Sequence, residues 1–225
     1  MSEPLREVVL RHDDGAVREV VHLRGEVLEG ESSTYAADGT PVLRATYAAG
    51  KLHGEMVLFD KEGEVAQRIP FSAGAMHGEA VAYDAGFPRW TTSYRDGLKE
   101  GDAFTRRPDG TLESRLPYVA DVLEGAAEFY DDQGRLIRRA EFVGGVQEGE
   151  TIDYYPSGAV RVRAAYVAGE LEGEVLAYHD RGGIQRREWF AAGKPAGEPV
   201  EYDEDGKVVD RKKKPPLWKR VLLRR

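Results

Sequence analysis

Short runs of alternating apolar and polar residues, separated by glycine-containing turns, fill most of the chain. Between Gly54 and Phe71 one run ends at Phe59, a turn with Gly63 follows, and a second run ends at Phe71. Alternation with a period of two is typical of β-strands, and glycine supplies the positive φ that hairpin turns need. The pattern therefore predicts a β-hairpin, and the frequent glycines disfavour a helix.

This hairpin pattern recurs about every 24 residues. Each repeat begins at an anchoring glycine, and the aligned glycines are Gly30, Gly54, Gly78, Gly101, Gly125, Gly149, Gly173 and Gly197. A degenerate repeat opens the chain at Arg6, so we expect about nine repeats in residues 1–210. Stacked repeats place equivalent residues in ladders. We therefore predict an all-β protein with an elongated, single-layer, twisted antiparallel sheet of tandem hairpins.

Aromatic residues end both strands of the repeat. The first-strand ladder is Tyr35, Phe59, Tyr83, Tyr130, Tyr154, Tyr178 and Tyr202, interrupted by Arg106; the second-strand ladder is Tyr47, Phe71, Tyr94, Tyr118, Phe142, Tyr166 and Phe190. Two residues before the first ladder, an apolar column contains Val57, Val81, Phe104, Ile152, Leu176 and Val200. Alternation predicts that these residues form one apolar, aromatic face. This face is either the core or, where it stays open, a groove that binds a partner.

Charged ladders accompany the aromatic ones. The residue after the anchoring glycine forms an acidic ladder of Glu31, Glu55, Glu79, Asp102, Glu150, Glu174 and Glu198, and the residue before it adds Glu29, Glu100, Glu124, Glu148 and Glu172. The second strand carries Arg44, Arg68, Arg115, Arg139, Arg163 and Arg187. Odd spacing from the second-strand aromatic residue predicts that these arginines lie on the face opposite the apolar one, in solvent. The acids either accept hydrogen bonds from loop N–H groups or form a stripe that attracts a basic partner.

The aligned repeats resemble the MORN repeat, in the bacterial variant of the YwqK-type antitoxin family. The resemblance lies in Gly-Lys-Leu-His-Gly-Glu-x-x-x-Phe-x-x-x-Gly from Gly50 to Gly63, which recurs in similar form from Gly169 to Gly182. It covers about residues 6–210. It implies a single-layer sheet of hairpins that binds proteins or lies near membranes, and an antitoxin or immunity protein that neutralises a cognate toxin. The chain departs from the pattern at Arg106, Asp121 and Ala126, which suggests a kink or a specialised contact patch there.

The composition changes sharply in residues 211–225. This tail contains eight basic residues and no acidic one, and its candidate contact residues are Lys212, Lys213, Lys214, Trp218, Lys219 and Arg220. Removing it changes the balance to 24 basic against 40 acidic residues, a net charge of −16 for residues 1–210. Three alternatives stay open: the tail caps the acidic sheet, it makes weak contact with anionic lipid, or it is disordered or binds nucleic acid.

No catalytic constellation is evident. His53 and His77 are ladder neighbours near Glu55, but histidine in a column that is otherwise acidic is explained better as a loop variant than as a metal ligand. The carboxylates repeat with the fold, whereas an active site needs a unique constellation in a pocket. We therefore expect no enzyme, no cofactor and no metal site.

The composition of the chain narrows the possible classes of protein. The chain contains no cysteine, which excludes disulfides and thiolate metal sites, and it shows no signal peptide and no apolar membrane span. We expect a cytoplasmic protein, with the inner face of the membrane as the alternative location. The first functional hypothesis is an antitoxin or immunity protein whose acidic sheet holds a basic toxin domain, without a nucleic-acid partner. The alternative is a membrane-proximal scaffold tethered by the basic tail.

Overall fold

The computed structural model describes residues 3–209, which contain twenty β-strands and no helix. The strands form one antiparallel sheet in which consecutive hairpins pair with one another. The predicted all-β sheet of tandem hairpins is confirmed. The degenerate first repeat is also a hairpin, with Arg6 opposite Leu23.

The described residues divide into two compact units. The first comprises residues 3–112 and 118–121, and the second comprises residues 113–117 and 122–209. The first contains β1 (Leu5–Arg11), β2 (Val17–Arg24), β3 (Val27–Tyr35), β4 (Pro41–Ala48), β5 (Lys51–Phe59), β6 (Val65–Ser72), β7 (Ala75–Met76), β8 (Gly78–Asp84), β9 (Phe87–Arg95) and β10 (Leu98–Arg106). Strand β11 (Leu112–Val119) contributes residues to both. The second contains β12 (Val122–Leu123), β13 (Gly125–Tyr130), β14 (Leu136–Val143), β15 (Val146–Tyr154), β16 (Val160–Val167), β17 (Glu170–Tyr178), β18 (Ile184–Ala191), β19 (Lys194–Pro195) and β20 (Val200–Glu201).

The turns that link one repeat to the next have two residues. Ala49 and Gly50 both have positive φ, 49° and 75°, which is typical of the type I′ hairpin turn. At the irregular position Asp121 keeps the same conformation with φ 68°, and its Oδ1 accepts a hydrogen bond from Lys99 N at 2.7 Å. Aspartate thus replaces glycine there without opening the turn.

The anchoring glycine lies in a β-bulge. Ala45 pairs with Met56 and Tyr47 with Leu52, so residues 53–55 lie opposite a single residue of β4. Gly54 has φ 98°, and a methyl group on it would lie 3.4 Å from Cβ of Thr46. All eight aligned glycines have positive φ, which favours glycine and explains why it recurs in every aligned repeat.

Each hairpin has two faces, which the cross-strand pairs define. The anchoring glycine lies opposite the second-strand aromatic residue, as in the pairs Gly54–Phe71 and Gly149–Tyr166. Because paired residues share a face, these aromatic residues lie with the residues two and four positions after the anchoring glycine, on what we call the packed face. The charged face carries the residues one and three positions after that glycine and the arginine ladder.

The prediction that the arginine ladder lies opposite the apolar column is wrong. Val57 is paired with both Arg44 and Arg68, and Leu176 with Arg163, so the two sets share the charged face. Alternation fixes the faces within one strand, but the turn and the bulges determine which residues of the next strand lie opposite. The apolar column is therefore separated from the second-strand aromatic ladder.

Most of the core lies on the packed face, and Val57 is a buried apolar residue on the charged face. In the second unit it is a cluster of Ala164, Val175, Ala177 and Phe190, with Tyr166 packed against it. In the first unit Ala45 and its pairing partner Ser32 are buried. Small residues beneath aromatic rings fill this face, so burial is concentrated in a few columns.

Candidate partner-binding surface

Arginine and apolar residues alternate across the charged face. In the second unit the paired row is Arg139, Ile152, Arg163, Leu176, Arg187 and Val200. In the first unit Val57, between Arg44 and Arg68, is only 1% exposed. Arginine buries its aliphatic stem while its guanidinium remains in water. We infer that the arginine ladder covers the apolar column as well as keeping this face soluble.

Three members of the acidic ladder form ion pairs with this arginine ladder. Glu55 lies 2.8 Å from Arg68, and in the second unit Glu150–Arg163 and Glu174–Arg187 each have N–O distances of 2.9 Å. All six side chains are between a third and a half exposed, so each pair contributes about 0.2–1 kcal/mol. These carboxylates thus lie beside positive charge. Among the other predicted acids, Glu31 accepts a hydrogen bond from Ser33, Asp102 is partly buried, and Glu79 and Glu198 are exposed.

The acids before the anchoring glycine hold the linking turns. In each case a carboxylate oxygen accepts a hydrogen bond from the first N–H of the turn twenty residues later, which confirms the structural alternative for this ladder. The pairs are Glu29–Ala49 at 2.8 Å, Glu100–Ala120 at 3.1 Å, Glu124–Gly144 at 2.7 Å, Glu148–Ala168 at 2.7 Å and Glu172–Ala192 at 2.8 Å.

The two ladder histidines have local partners. Nδ1 of His53 accepts a hydrogen bond from Ala73 N at 3.3 Å, the same contact that glutamate makes in other repeats. Nδ1 of His77 lies 3.4 Å from Oδ1 of Asp96, across one linking turn. His53 is therefore the loop variant that its column predicts.

The first-strand aromatic ladder is partly buried in both units. The hydroxyl of Tyr130 donates to Glu128 at 2.9 Å, and Glu128 is paired with Arg115 and Arg139, so this ladder member lies on the charged face. Burial, together with the Glu128 carboxylate, raises the pKa of Tyr130. The carbonyl of Tyr178 accepts a hydrogen bond from the Tyr155 hydroxyl at 2.7 Å. The ladder thus contributes to repeat stacking, and its role in partner binding stays a prediction.

Buried charges on the packed face of the second unit were not predicted from the sequence. Asp153 is 2% exposed and contacts Arg138 and Arg161, while Arg186 contacts Glu188 and Glu201. Asp153 and Glu201 both stand four positions after an anchoring glycine, and the other residues of that column are Thr34, Leu58, Ala82, Thr105, Phe129 and Ala177. A comparison of equivalent residues across the repeats would therefore have identified an acid in this column as a candidate buried charge.

An exposed apolar row follows the linking turns of the second unit. Val143 and Val146 are paired across one turn, and with Val122 and Val167 they form what we call the valine row. These four side chains are between 40% and 56% exposed. Successive turns lie close together: a methyl group on Gly145 would lie 3.7 Å from Cγ1 of Val122, and one on Gly169 would lie 3.5 Å from Cγ1 of Val146. Clustered exposed apolar residues of this kind mark interaction sites.

The predicted tail contacts Lys212, Lys213, Lys214, Trp218, Lys219 and Arg220 lie outside the described residues. Residues 3–209 contain no helix that is long and apolar enough to cross a membrane.

No protein-family model and no curated protein matches the chain. Solved structures similar to it include the GtfA/B complex bound to UDP and GlcNAc, with 18% identity and TM-score 0.23, covering 48% of this chain and 21% of that one. TcdB2-TccC3-Cdc42 has 11% identity and TM-score 0.16, covering 90% of this chain and 15% of that one. TcdB2-TccC3 without its hypervariable C-terminal region has 12% identity and TM-score 0.16, covering 90% of this chain and 16% of that one. This chain spans about a fifth or less of those chains, and the similarity carries no functional argument.

Proposed function

We propose that this protein is a non-enzymatic, protein-binding repeat scaffold, and that it acts as an antitoxin or immunity protein that neutralises a cognate toxin. The observation that carries the proposal is the valine row. It places four exposed apolar side chains side by side on the rigid turns of a hydrogen-bonded sheet. A rigid apolar patch with a polar surround loses little conformational entropy when a partner covers it.

Net charge supports a basic partner. Residues 1–210 carry a formal charge of −16, and the acids Glu79 and Glu198 are exposed. Ion pairing with the arginine ladder neutralises part of the acidic ladder locally, so the attraction comes from the summed field rather than from one stripe. Many toxins that cleave nucleic acids need basic clefts, which makes an acidic inhibitor electrostatically suitable.

The roles of the charged ladders support a scaffold rather than an enzyme. The glutamates before the anchoring glycines are engaged in holding turns, and three acids after those glycines are paired with arginine. These contacts recur with the repeat, and a reaction site requires groups that depart from it.

A membrane-proximal scaffold remains the second candidate, because the tail combines eight basic residues with Trp218 and Leu222. Lysine and arginine near an anionic surface contribute about 1 kcal/mol each, so the tail supports weak membrane attachment. Loss of liposome binding after removal of residues 211–225 is the outcome expected for this candidate.

The antitoxin proposal is tested by a tagged pull-down from cells of the source organism, followed by binding with the purified partner. The baits are the full chain, residues 1–210, Val143→Lys/Val146→Lys and the control Val42→Lys. We expect one stoichiometric basic protein with all baits except the double variant, and inhibition of that protein's toxicity by the full chain. A partner retained equally by the double variant, or one whose activity is unaffected, contradicts the proposal.

A further inference from the structure

Strand β1 has an open edge. Within the described residues it pairs only with β2, from Leu5–Arg24 to Arg11–Val17. The register shift between Leu10 and Arg11 places the extra residue, Arg18, in β2, so β1 itself is regular. An edge strand of this kind presents alternating N–H and C=O groups that a further strand can pair with.

The side chains of β1 protect this edge only partly. Protected edges carry proline, a bulge or charged residues, and the sequence Leu-Arg-Glu-Val-Val-Leu-Arg of β1 has no proline and no bulge, while its charged residues lie on either side of the apolar run Val8–Leu10. Leu5, Val9 and Leu10 are exposed, between 38% and 49%. Three apolar side chains on an open edge favour a partner strand that covers them.

The sequence of β1 is complementary to itself in one antiparallel register. With Val9 opposite Val9 of a second copy, Val8 lies opposite Leu10, and Glu7 lies opposite Arg11, each pair occurring twice. Cross-strand partners share a face, so apolar meets apolar and acid meets base. Sliding one strand by a single residue in one direction places Arg6 opposite Arg11, which juxtaposes like charges. Sliding it in the other direction places Val8 opposite Arg11, which removes the acid–base pair.

The two charged residues are available for this contact. The Glu7 side chain is 58% exposed and lies 3.6 Å from His22, and Arg11 is exposed and donates to the carbonyl of Gly15 at 2.9 Å. Neither is held in a buried network, so each can turn towards an adjacent strand.

We propose that two copies of this chain associate through β1, which pairs antiparallel with β1 of the second copy about Val9 and continues the sheet across a two-fold axis. The apolar pairs Val8–Leu10 and Val9–Val9 cover the exposed edge, and the two Glu7–Arg11 pairs set the register. This proposal is independent of the antitoxin function.

The mass of the full chain, measured by light scattering after size exclusion and by sedimentation equilibrium, tests it. We expect about 50 kDa at high concentration, twice the 25.0 kDa of one chain. Glu7→Arg and Arg11→Glu each place like charges twice at the interface and should each raise the dimer dissociation constant about tenfold or more. Val9→Lys places two lysines on the two-fold axis and should also raise the dimer dissociation constant. The control Val42→Lys changes a valine that is 42% exposed on a strand paired on both sides, and it should leave the dissociation constant unchanged.

Mixing the Glu7→Arg and Arg11→Glu variants gives the decisive test of the proposed register. Glu7→Arg mixed with Arg11→Glu restores two attractive pairs, so a heterodimer should form from two weakened homodimers, and the double variant Glu7→Arg/Arg11→Glu should dimerise on its own. Circular dichroism of each variant distinguishes lost association from lost folding. A monomer at about 200 µM, far above the dissociation constants of stable dimers, overturns the proposal, and so does a dimer that none of the β1 variants weakens.

Discussion

Asp153 and Arg138 form a two-pronged contact on the packed face of the second unit. Nε of Arg138 lies 2.6 Å from Oδ1 of Asp153 and Nη2 lies 3.0 Å from Oδ2, while Arg161 approaches the same carboxylate at 3.0 Å. The hydrogen bonds to Asp153 raise the pKa of Arg138 above its usual value. One buried acid therefore contacts two arginines from the strands on either side, at a position where the last repeat has Glu201 and the other repeats have threonine or apolar residues.

Replacing this acid should destabilise the protein. Asp153→Ala leaves Arg138 and Arg161 without their shared carboxylate, and since both arginines are about 38% exposed, water compensates part of the loss. We expect a decrease of about 2–3 kcal/mol in the free energy of unfolding, below the 3–5 kcal/mol of a fully buried pair. Urea denaturation measures it, with Asp132→Ala, at an exposed acid, as the control. An unchanged midpoint would show that the contact contributes nothing net.

The glutamates that hold the linking turns should be individually measurable. Glu148→Ala removes the acceptor of the Ala168 N–H, which lies 2.7 Å away. We expect the free energy of unfolding to fall by about 1.5 kcal/mol, the lower end for a hydrogen bond to a charged group because this one is exposed to water, and we expect faster hydrogen exchange at the Ala168 amide.

Two further variants separate the hydrogen bond from other effects of this change. Glu148→Gln keeps an acceptor oxygen and should lose less than Glu148→Ala. Glu204→Ala, at an exposed position, should leave the Ala168 amide unaffected. Equal exchange in all three variants would contradict a turn-holding role.

Turn aspartates should make the protein sensitive to acid. The pKa of Asp131 is lowered below its usual 3.8 because its carboxylate accepts hydrogen bonds from the backbone N–H of Arg135 and of Gln133 and from the Arg135 side chain. The pKa values of Asp38 and Asp109 are lowered in the same way by Thr40 and Thr111. A carboxyl group whose pKa is lower in the folded state than in the unfolded state stabilises the folded protein at pH values above its unfolded-state pKa. This stabilisation is lost as the pH falls through the folded-state pKa.

Thermal unfolding between about pH 6 and pH 2.5 tests this linkage. We expect the melting temperature to fall most steeply below about pH 4, and Asp131→Asn to reduce that slope. A slope that is identical in the variant and in the parent chain would exclude a contribution from Asp131.

The proposed antitoxin complex should form more slowly in salt. Steering by the acidic field acts on the association rate, and raising ionic strength shortens the screening length from about 10 Å at 0.1 M to about 3 Å at 1 M. We expect the association rate to fall at least about tenfold over that range, measured by stopped-flow or surface-based kinetics, while dissociation changes little. An association rate indifferent to salt would refute electrostatic steering and leave the valine row as the sole determinant.

The repeat period and the strand positions were predictable because each depends on local sequence. The turn around Gly63 separates the same two strands in the sequence pattern and in the structure, whereas the anchoring Gly54 lies inside β5 rather than at its start. The turn-holding role of Glu148 was one of two alternatives that the sequence left open for the acids, and the hydrogen bond to Ala168 N decided between them. Which residues share a face was harder to predict from the sequence, because the position of Val57 relative to Arg68 depends on the pairing between strands.

The sequence by itself determined the all-β hairpin architecture and its period, since these rest on local backbone conformation repeated many times. Only the tertiary structure decided that the acids before the anchoring glycines hold the linking turns, that the arginine ladder shares a face with the apolar column, and that Asp153 is buried between two arginines. Each of these depends on which residue of one strand lies opposite which residue of the next. Bulges set that register, and alternation along a single strand carries no information about it.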